Sequence, residues 1–179
     1  LFRLAEDGSV RLAISEEARH RIRASRKVID DALAAGKTIY GVTTGFGDFA
    51  NVLIGVEDAA TLQRNLLLSH AAGVGNALSL ARTRMLQALR VNVLCRGHSG
   101  IKERTVDHIC ALYNAGLLPR VPEQGTVGAS GDLAPLAHLA LGVIGEGQMW
   151  DPKAAAYGPA GDVLRSHGLA PLALAAKEG

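Results

Sequence analysis

Apolar residues recur at helical spacing along most of the chain. From Ser15 to Ala35 the inner face reads Ala18, Ile22, Ile29 and Leu33, with Ser15 placed as N-cap, Glu16 and Glu17 in the first turn against the helix dipole, and Gly36 placed to end the helix. A second helix is predicted over 57–70 with Leu62, Leu66 and Ser69 on one face. A third runs over 81–96 with Met85, Leu89, Asn92 and Val93, and a fourth over 103–114. Asp132 is placed to cap an apolar helix carrying Leu133, Leu136, Ala140 and Ile144. Pro135 falls in its first turn, where a missing N–H costs little. Gln148–Trp150 is the one strand candidate, and 160–168 predict one or two more helical turns. The expected fold class is mainly α with little β, built from amphipathic helices that need partners.

Composition narrows the function classes. With 48% apolar and 20% charged residues the chain can bury a core. Its net charge is only +2 and its bases are interspersed with acids, which argues against nucleic acid as a partner. No window approaches the roughly 18 apolar residues of a membrane span, and the start Leu1-Phe-Arg-Leu4 is too short for a signal peptide, so no membrane partner is expected. Cys95 and Cys110 lack CxxC spacing, consistent with a reduced, cytoplasmic setting, and both read as buried small hydrophobes. Residues 1–179 read as one domain. The missing initiator Met and the apolar stretch 172–179 give the expectation of a fragment.

Two glycine-rich loops interrupt the helical sequence, Gly41–Gly47 and Gly125–Gly131. The first has no Gly-Lys-Ser/Thr and no GxGxxG order, and Gly128-Ala-Ser-Gly-Asp132 is not GxSxG, so nucleotide and hydrolase motifs are excluded. The six histidines show no zinc spacing, and no metal is expected. What remains is Ala129-Ser130-Gly131, whose residue types permit a backbone cyclisation. The Gly131 nitrogen, unshielded by a side chain, can attack the Ala129 carbonyl carbon. Loss of water there, together with loss of the Ser130 hydroxyl, gives a five-membered ring with an exocyclic methylene, a strong electrophile. A helix N-terminus at 132–135 would add positive potential where negative charge develops.

In its longer context, Val121-Pro-Glu-Gln-Gly-Thr-Val-Gly-Ala-Ser-Gly-Asp-Leu-Ala-Pro-Leu-Ala137 resembles the signature of the aromatic amino acid ammonia-lyases. Three further stretches agree: Tyr40-Gly-Val-Thr-Thr-Gly-Phe-Gly47, Asn65-Leu-Leu-Leu-Ser-His-Ala-Ala-Gly-Val-Gly75 and Asn114-Ala-Gly-Leu-Leu-Pro119. The resemblance covers nearly all of the chain, weakening before Ser15 and across 151–168, and is to the N-terminal third of the histidine-selective members. It implies the N-terminal part of the helical ammonia-lyase fold, with glycine-rich active-site loops. It also implies a methylidene-imidazolone formed autocatalytically from Ala129, Ser130 and Gly131, with no metal or diffusible cofactor.

By the same resemblance Tyr40 is the general base for the β-proton. An ordinary tyrosine pKa near 10 is poor for that task, so its surroundings must favour the phenolate, and neighbouring glycine N–H groups are expected to help. Ser69 and His70 match the histidine-selective pair, with the His70 imidazole facing the substrate imidazole. Gly41, Gly47 and Asp132 have supporting roles. The implied reaction is elimination of ammonia from L-histidine to give urocanate, in a homo-oligomer, a tetramer in the full enzyme. Relatives supply further site residues from a C-terminal helical region, so the isolated chain is expected to bind weakly or be inactive. The alternatives are a tyrosine or phenylalanine ammonia-lyase or aminomutase with the same ring, and a non-catalytic truncated module. Asn92 is expected to be buried and hydrogen-bonded, and His98 to have a structural role.

Overall fold

The computed structural model describes residues 2–42, 44, 59–129 and 131–179. After a short helix α1 (Phe2–Glu6), which the pattern did not announce, comes α2 (Glu16–Ala34). Ser15 caps α2 as expected, its side chain accepting from the Ala18 N–H at 3.2 Å. Next come α3 (Ala59–His70), strand β1 (Val74–Ala77), α4 (Leu80–Leu94) and α5 (Glu103–Ala115). The chain then forms β2 (Leu118–Pro119), β3 (Pro122–Gln124), α6 (Leu133–Val143), β4 (Gln148–Asp151), β5 (Ala156–Pro159) and α7 (Ala160–Ser166). The molecule is mainly helical. β1 pairs antiparallel with β3, and β2, β4 and β5 form a second antiparallel sheet with β4 in the middle. Strands of two to four residues offer too few alternations to be read from periodicity, and β4 alone was expected.

The main core gathers Ile22 from α2, Val91 and Leu94 from α4, Val106, Ile109 and Leu112 from α5, and Leu164 from α7 around Leu117 and Met149. Each fully buried aliphatic side chain contributes roughly 1.5–3 kcal/mol relative to exposure. Tyr113 is buried beside them. The Arg84 guanidinium lies 4.4 Å above its ring, and its hydroxyl donates to the Leu4 carbonyl at 2.9 Å. Asn114 exchanges two hydrogen bonds with the backbone of Leu12, so α5 anchors the N-terminal segment.

Three expected helix faces are rotated. In α4 the buried stripe is Thr83, Arg84, Gln87, Ala88, Val91 and Leu94, whereas Leu89 and Val93 are exposed, and so is Asn92, contrary to the expectation that it is buried. The polar members of that stripe earn burial by hydrogen bonding: Arg84 donates to the Gly8 and Val10 carbonyls and Gln87 to the Ile109 carbonyl. In α3, among the side chains described, Gln63 and Leu67 are buried, one position on from Leu62 and Leu66. In α2 Arg26 joins Ala18, Ile22 and Ala32 inside, donating to the Gly100 and Ala176 carbonyls, while Ile29 and Leu33 are only half-buried. Cys110 is buried and Cys95 half-buried, and both are free thiols. Burial pushes both up, Cys110 to about 11. His98 is exposed.

His108, on α5, is half-buried with no hydrogen-bond partner at Nε2 among the described residues, and burial holds its pKa below the ordinary 6.5. The unfolded chain therefore binds the proton more readily. The neutral ring's contribution to stability is complete above about pH 6.5 and is lost as pH falls toward the lower folded value. The urea midpoint is expected to drop between pH 7.5 and 5.5, with a shallower drop in His108→Gln. Equal slopes in the two proteins would exclude this group as the source.

Candidate active site

Helix α3 delivers Ser69 and His70 at its last turn. The Ser69 hydroxyl donates to the Leu66 carbonyl at 2.9 Å, and His70 Nδ1 lies 2.9 Å from the same carbonyl and 3.0 Å from Ser69 Oγ. A carbonyl only accepts, so Nδ1 carries a proton, and in the neutral ring Nε2 is the acceptor nitrogen. Gln63, Leu67 and His70 follow one another at i, i+4 and i+7, which places His70 on the inward face of its helix.

Tyr40 and His70 meet in one cavity of about 520 Å³. Its opposite wall is α6, through Leu133, Leu136, Ala137 and Ala140, and its floor includes Leu94 and Ile109. Tyr40 is 59% exposed. Gly41 is buried with φ +66°, a conformation that suits glycine, and its N–H donates to Thr44 Oγ1 at 3.2 Å. That N–H is directed at Thr44 rather than at the Tyr40 phenol, against the expectation for this glycine. Gly47 lies outside the described residues.

The Ala129–Gly131 loop leads directly into α6. Ser130 lies outside the described residues, while Val127 and Gly131 form an antiparallel bridge, so the chain reverses direction within these few residues. Gly131 has φ +92° and open space where a Cβ would stand. Its backbone angle, more than crowding, calls for glycine there. Asp132 takes the N-cap position of α6, yet its side chain makes no cap hydrogen bond. The first-turn N–H groups of α6 therefore keep their partial positive charge at the end of the loop. Ala129 and Gly131 are not part of the cavity lining. The tight reversal and the positive helix end suit the residues for the cyclisation that their types permit.

Two charged side chains in the lining escaped the sequence reading, Arg90 on α4 and Glu178. Burial pulls the Arg90 guanidinium below its ordinary value. Its signal was its place one turn before Leu94, hidden because the polar α4 stripe disguised the inward face. Glu178 fastens the segment 175–179, accepting from the Lys102 N–H, the Thr105 hydroxyl and the Ala175 N–H. Gly179 N–H donates to Gln63 Oε1 at 2.7 Å. No cluster of three or more His, Cys, Asp or Glu able to hold a metal occurs among the described residues, and no described helix is long and apolar enough to cross a membrane.

Comparison with known proteins adds lineage to this geometry. The family profile described as aromatic amino acid lyase matches residues 1–179. Histidine ammonia-lyase of Homo sapiens is 50% identical over 172 residues, which are 96% of this chain and 26% of that protein. The crystal structure of histidine ammonia-lyase from Trypanosoma cruzi superimposes with a TM-score of 0.91 at 46% identity, covering 99% of this chain and 33% of that one. Tyrosine aminomutase from Streptomyces globisporus gives a TM-score of 0.90 at 33% identity, covering 98% of this chain and 32% of that one. The chain thus spans about a quarter to a third of the length of these relatives, and its Ala-Ser-Gly loop, cavity and fold lie within the matched region. The chain belongs to the aromatic amino acid lyase family.

Proposed function

We propose that this chain is the N-terminal part of a histidine ammonia-lyase, which eliminates ammonia from L-histidine to give urocanate. The observation that carries the reading is the convergence of Tyr40 and His70 on one largely apolar cavity walled by the helix that leaves the Ala129–Gly131 loop. The methylidene-imidazolone built from Ala129, Ser130 and Gly131 supplies an electrophile that activates a poor leaving group. The remaining work falls to side chains. Tyr40 is the base for the weakly acidic β-proton, and its exposure on the cavity rim leaves it reachable by a small substrate. His70, with its proton fixed on Nδ1, presents Nε2 to accept the N–H of the substrate imidazole. Apolar α6 residues on the facing wall exclude water and strengthen that hydrogen bond. Identity near 50% to histidine ammonia-lyases, against 33% to a tyrosine aminomutase, supports histidine as substrate. A cytoplasmic homotetramer completes the proposal. Exposed Leu89, Val93 and Leu133 leave apolar surface for such an assembly.

The ring is tested by the denatured intact mass. The expected result is a chain lighter by two waters, with the deficit mapped to the peptide holding residues 129–131, and an unmodified mass overturns the cyclisation. The substrate is tested by offering L-histidine, L-tyrosine and L-phenylalanine in parallel to the full-length enzyme. Exclusive consumption of L-tyrosine would contradict the role given to His70.

A further inference from the structure

One contact outside the described chemistry joins both ends of the tripeptide loop to a single backbone position. Gly73, three residues beyond His70, donates its N–H to His138 Nε2 at 3.1 Å. A Cβ at Gly73 would stand 3.1 Å from that nitrogen and 3.3 Å from the Gln124 carbonyl oxygen. A Cβ at Gly125 would stand 3.1 Å from Gly73 Cα and 3.1 Å from Ala134 Cβ. Gly125 opens the loop that contains Ala129–Gly131, and Ala134 and His138 belong to α6, which closes it. The pairing of Val74 with Gln124 continues the same contact into the β1–β3 ladder. Gly73 is therefore gripped between the entry and the exit of the loop, on the segment that immediately follows Ser69 and His70.

The direction of the hydrogen bond fixes the state of His138. An imidazole nitrogen that accepts an N–H carries no proton, so the ring is neutral with its proton on Nδ1. Burial and the nearby Arg120 cation both hold its pKa below the ordinary value, in keeping with that state. Arg120 also donates to the Gly75 carbonyl at 3.2 Å and steadies the same stretch of β1.

We infer that His138 is a positioning residue: by accepting the Gly73 N–H it locks the end of α3 to the second turn of α6, and so holds the Ala129–Gly131 loop bent and at a fixed distance from His70. The consequence for ring formation rests on the cyclisation proposed above, whereas the effect on loop order does not. Sequence alone shows His138 only as a polar residue on an apolar helix. The missing information was its partner, a backbone group 65 residues away.

The test uses two polar replacements of different reach. In His138→Gln, Oε1 can take the place of Nε2, and in His138→Asn the acceptor falls short. Hydrogen exchange is followed at Gly73, across 125–132 and, as a reference, across α5, alongside the intact mass. Loss of one such hydrogen bond is expected to speed exchange at Gly73 and the loop about tenfold in His138→Asn. α5 should be unchanged, exchange in His138→Gln near the parent, and the fraction lighter by two waters reduced in Asn and retained in Gln. Loop exchange in His138→Asn equal to the parent overturns the inference. So does an equal loss in both variants, or a loss of α5 protection in His138→Asn, which would mark His138 as a general core residue. If the parent chain itself carries no ring, the mass arm counts against the cyclisation and the exchange arm alone decides the role of His138.

Discussion

Replacing Ser130 by Ala is expected to leave the chain at its full unmodified mass and, in the full-length enzyme, to remove turnover of L-histidine. The argument is one of leaving groups. Addition of the Gly131 nitrogen to the Ala129 carbonyl can occur with any side chain at 130 and reverses without loss of mass, but the exocyclic methylene that makes the ring lasting needs a β-substituent that departs, and alanine has none. Without the methylene there is no electrophilic carbon. The β-proton must then be removed with no activation of the amino group, and the rate is expected to fall by about 10³-fold or more, at or beyond the upper end of what loss of one preorganised stabilising group costs elsewhere. Ser130→Cys is the informative partner, since a thiol can also leave, and partial ring formation is expected, read as the loss of one water and one hydrogen sulfide. Intact mass spectrometry and urocanate formation on the same preparations check both. A two-water deficit in Ser130→Ala would show that the modification lies elsewhere in the chain.

Gly142→Leu is expected to be the most damaging change far from the reacting atoms. A Cβ at Gly142 would stand 2.6 Å from Pro119 Cγ, 2.9 Å from Pro119 Cβ and 3.0 Å from Met149 Cε. Glycine inside a helix costs about 1 kcal/mol relative to alanine, and this close approach of α6 to β2 is what that cost supports. A leucine must push α6 away from the β2–β4 pair. Overpacking of this kind costs about 3 kcal/mol, which lowers the melting temperature of a chain of this size by roughly 6–12 °C. Because α6 also carries His138 and forms the wall facing His70, the folded fraction should show a reduced two-water deficit. Thermal unfolding by circular dichroism measures the first effect and intact mass the second. A melting temperature within about 1 °C of the parent would mean that α6 repacks freely against β2.

Much of this was legible beforehand, and the reasons for the rest are local. Ser15, the paired glutamates and Gly36 marked α2 correctly because capping chemistry is written in adjacent residues. The candidate site residues came from four motif stretches, and Tyr40 and His70 from two of them line one cavity. The inward faces were harder. Arg26, Gln63, Arg84 and Gln87 occupy core positions through hydrogen bonds to carbonyls or amides far along the chain, and a polarity pattern registers such residues as solvent-facing. Reading them as exposed turned α4 around and hid Arg90, while Leu89, Asn92 and Val93 were assigned inward although they point out. The same blindness to distant backbone partners concealed His138.

The tie between the first residues and α5 bears on the order of events during synthesis. Leu12 finds the Asn114 amide 102 residues later, and Leu4 finds the Tyr113 hydroxyl 109 residues later. A ribosome adding roughly 5–20 residues per second therefore exposes α1 and the following segment for about 5–20 s before their anchor exists. Throughout that interval five helical residues, too few to persist alone, are available to chaperones and proteases. This segment is made well before α5 and is secured only once α5 has followed.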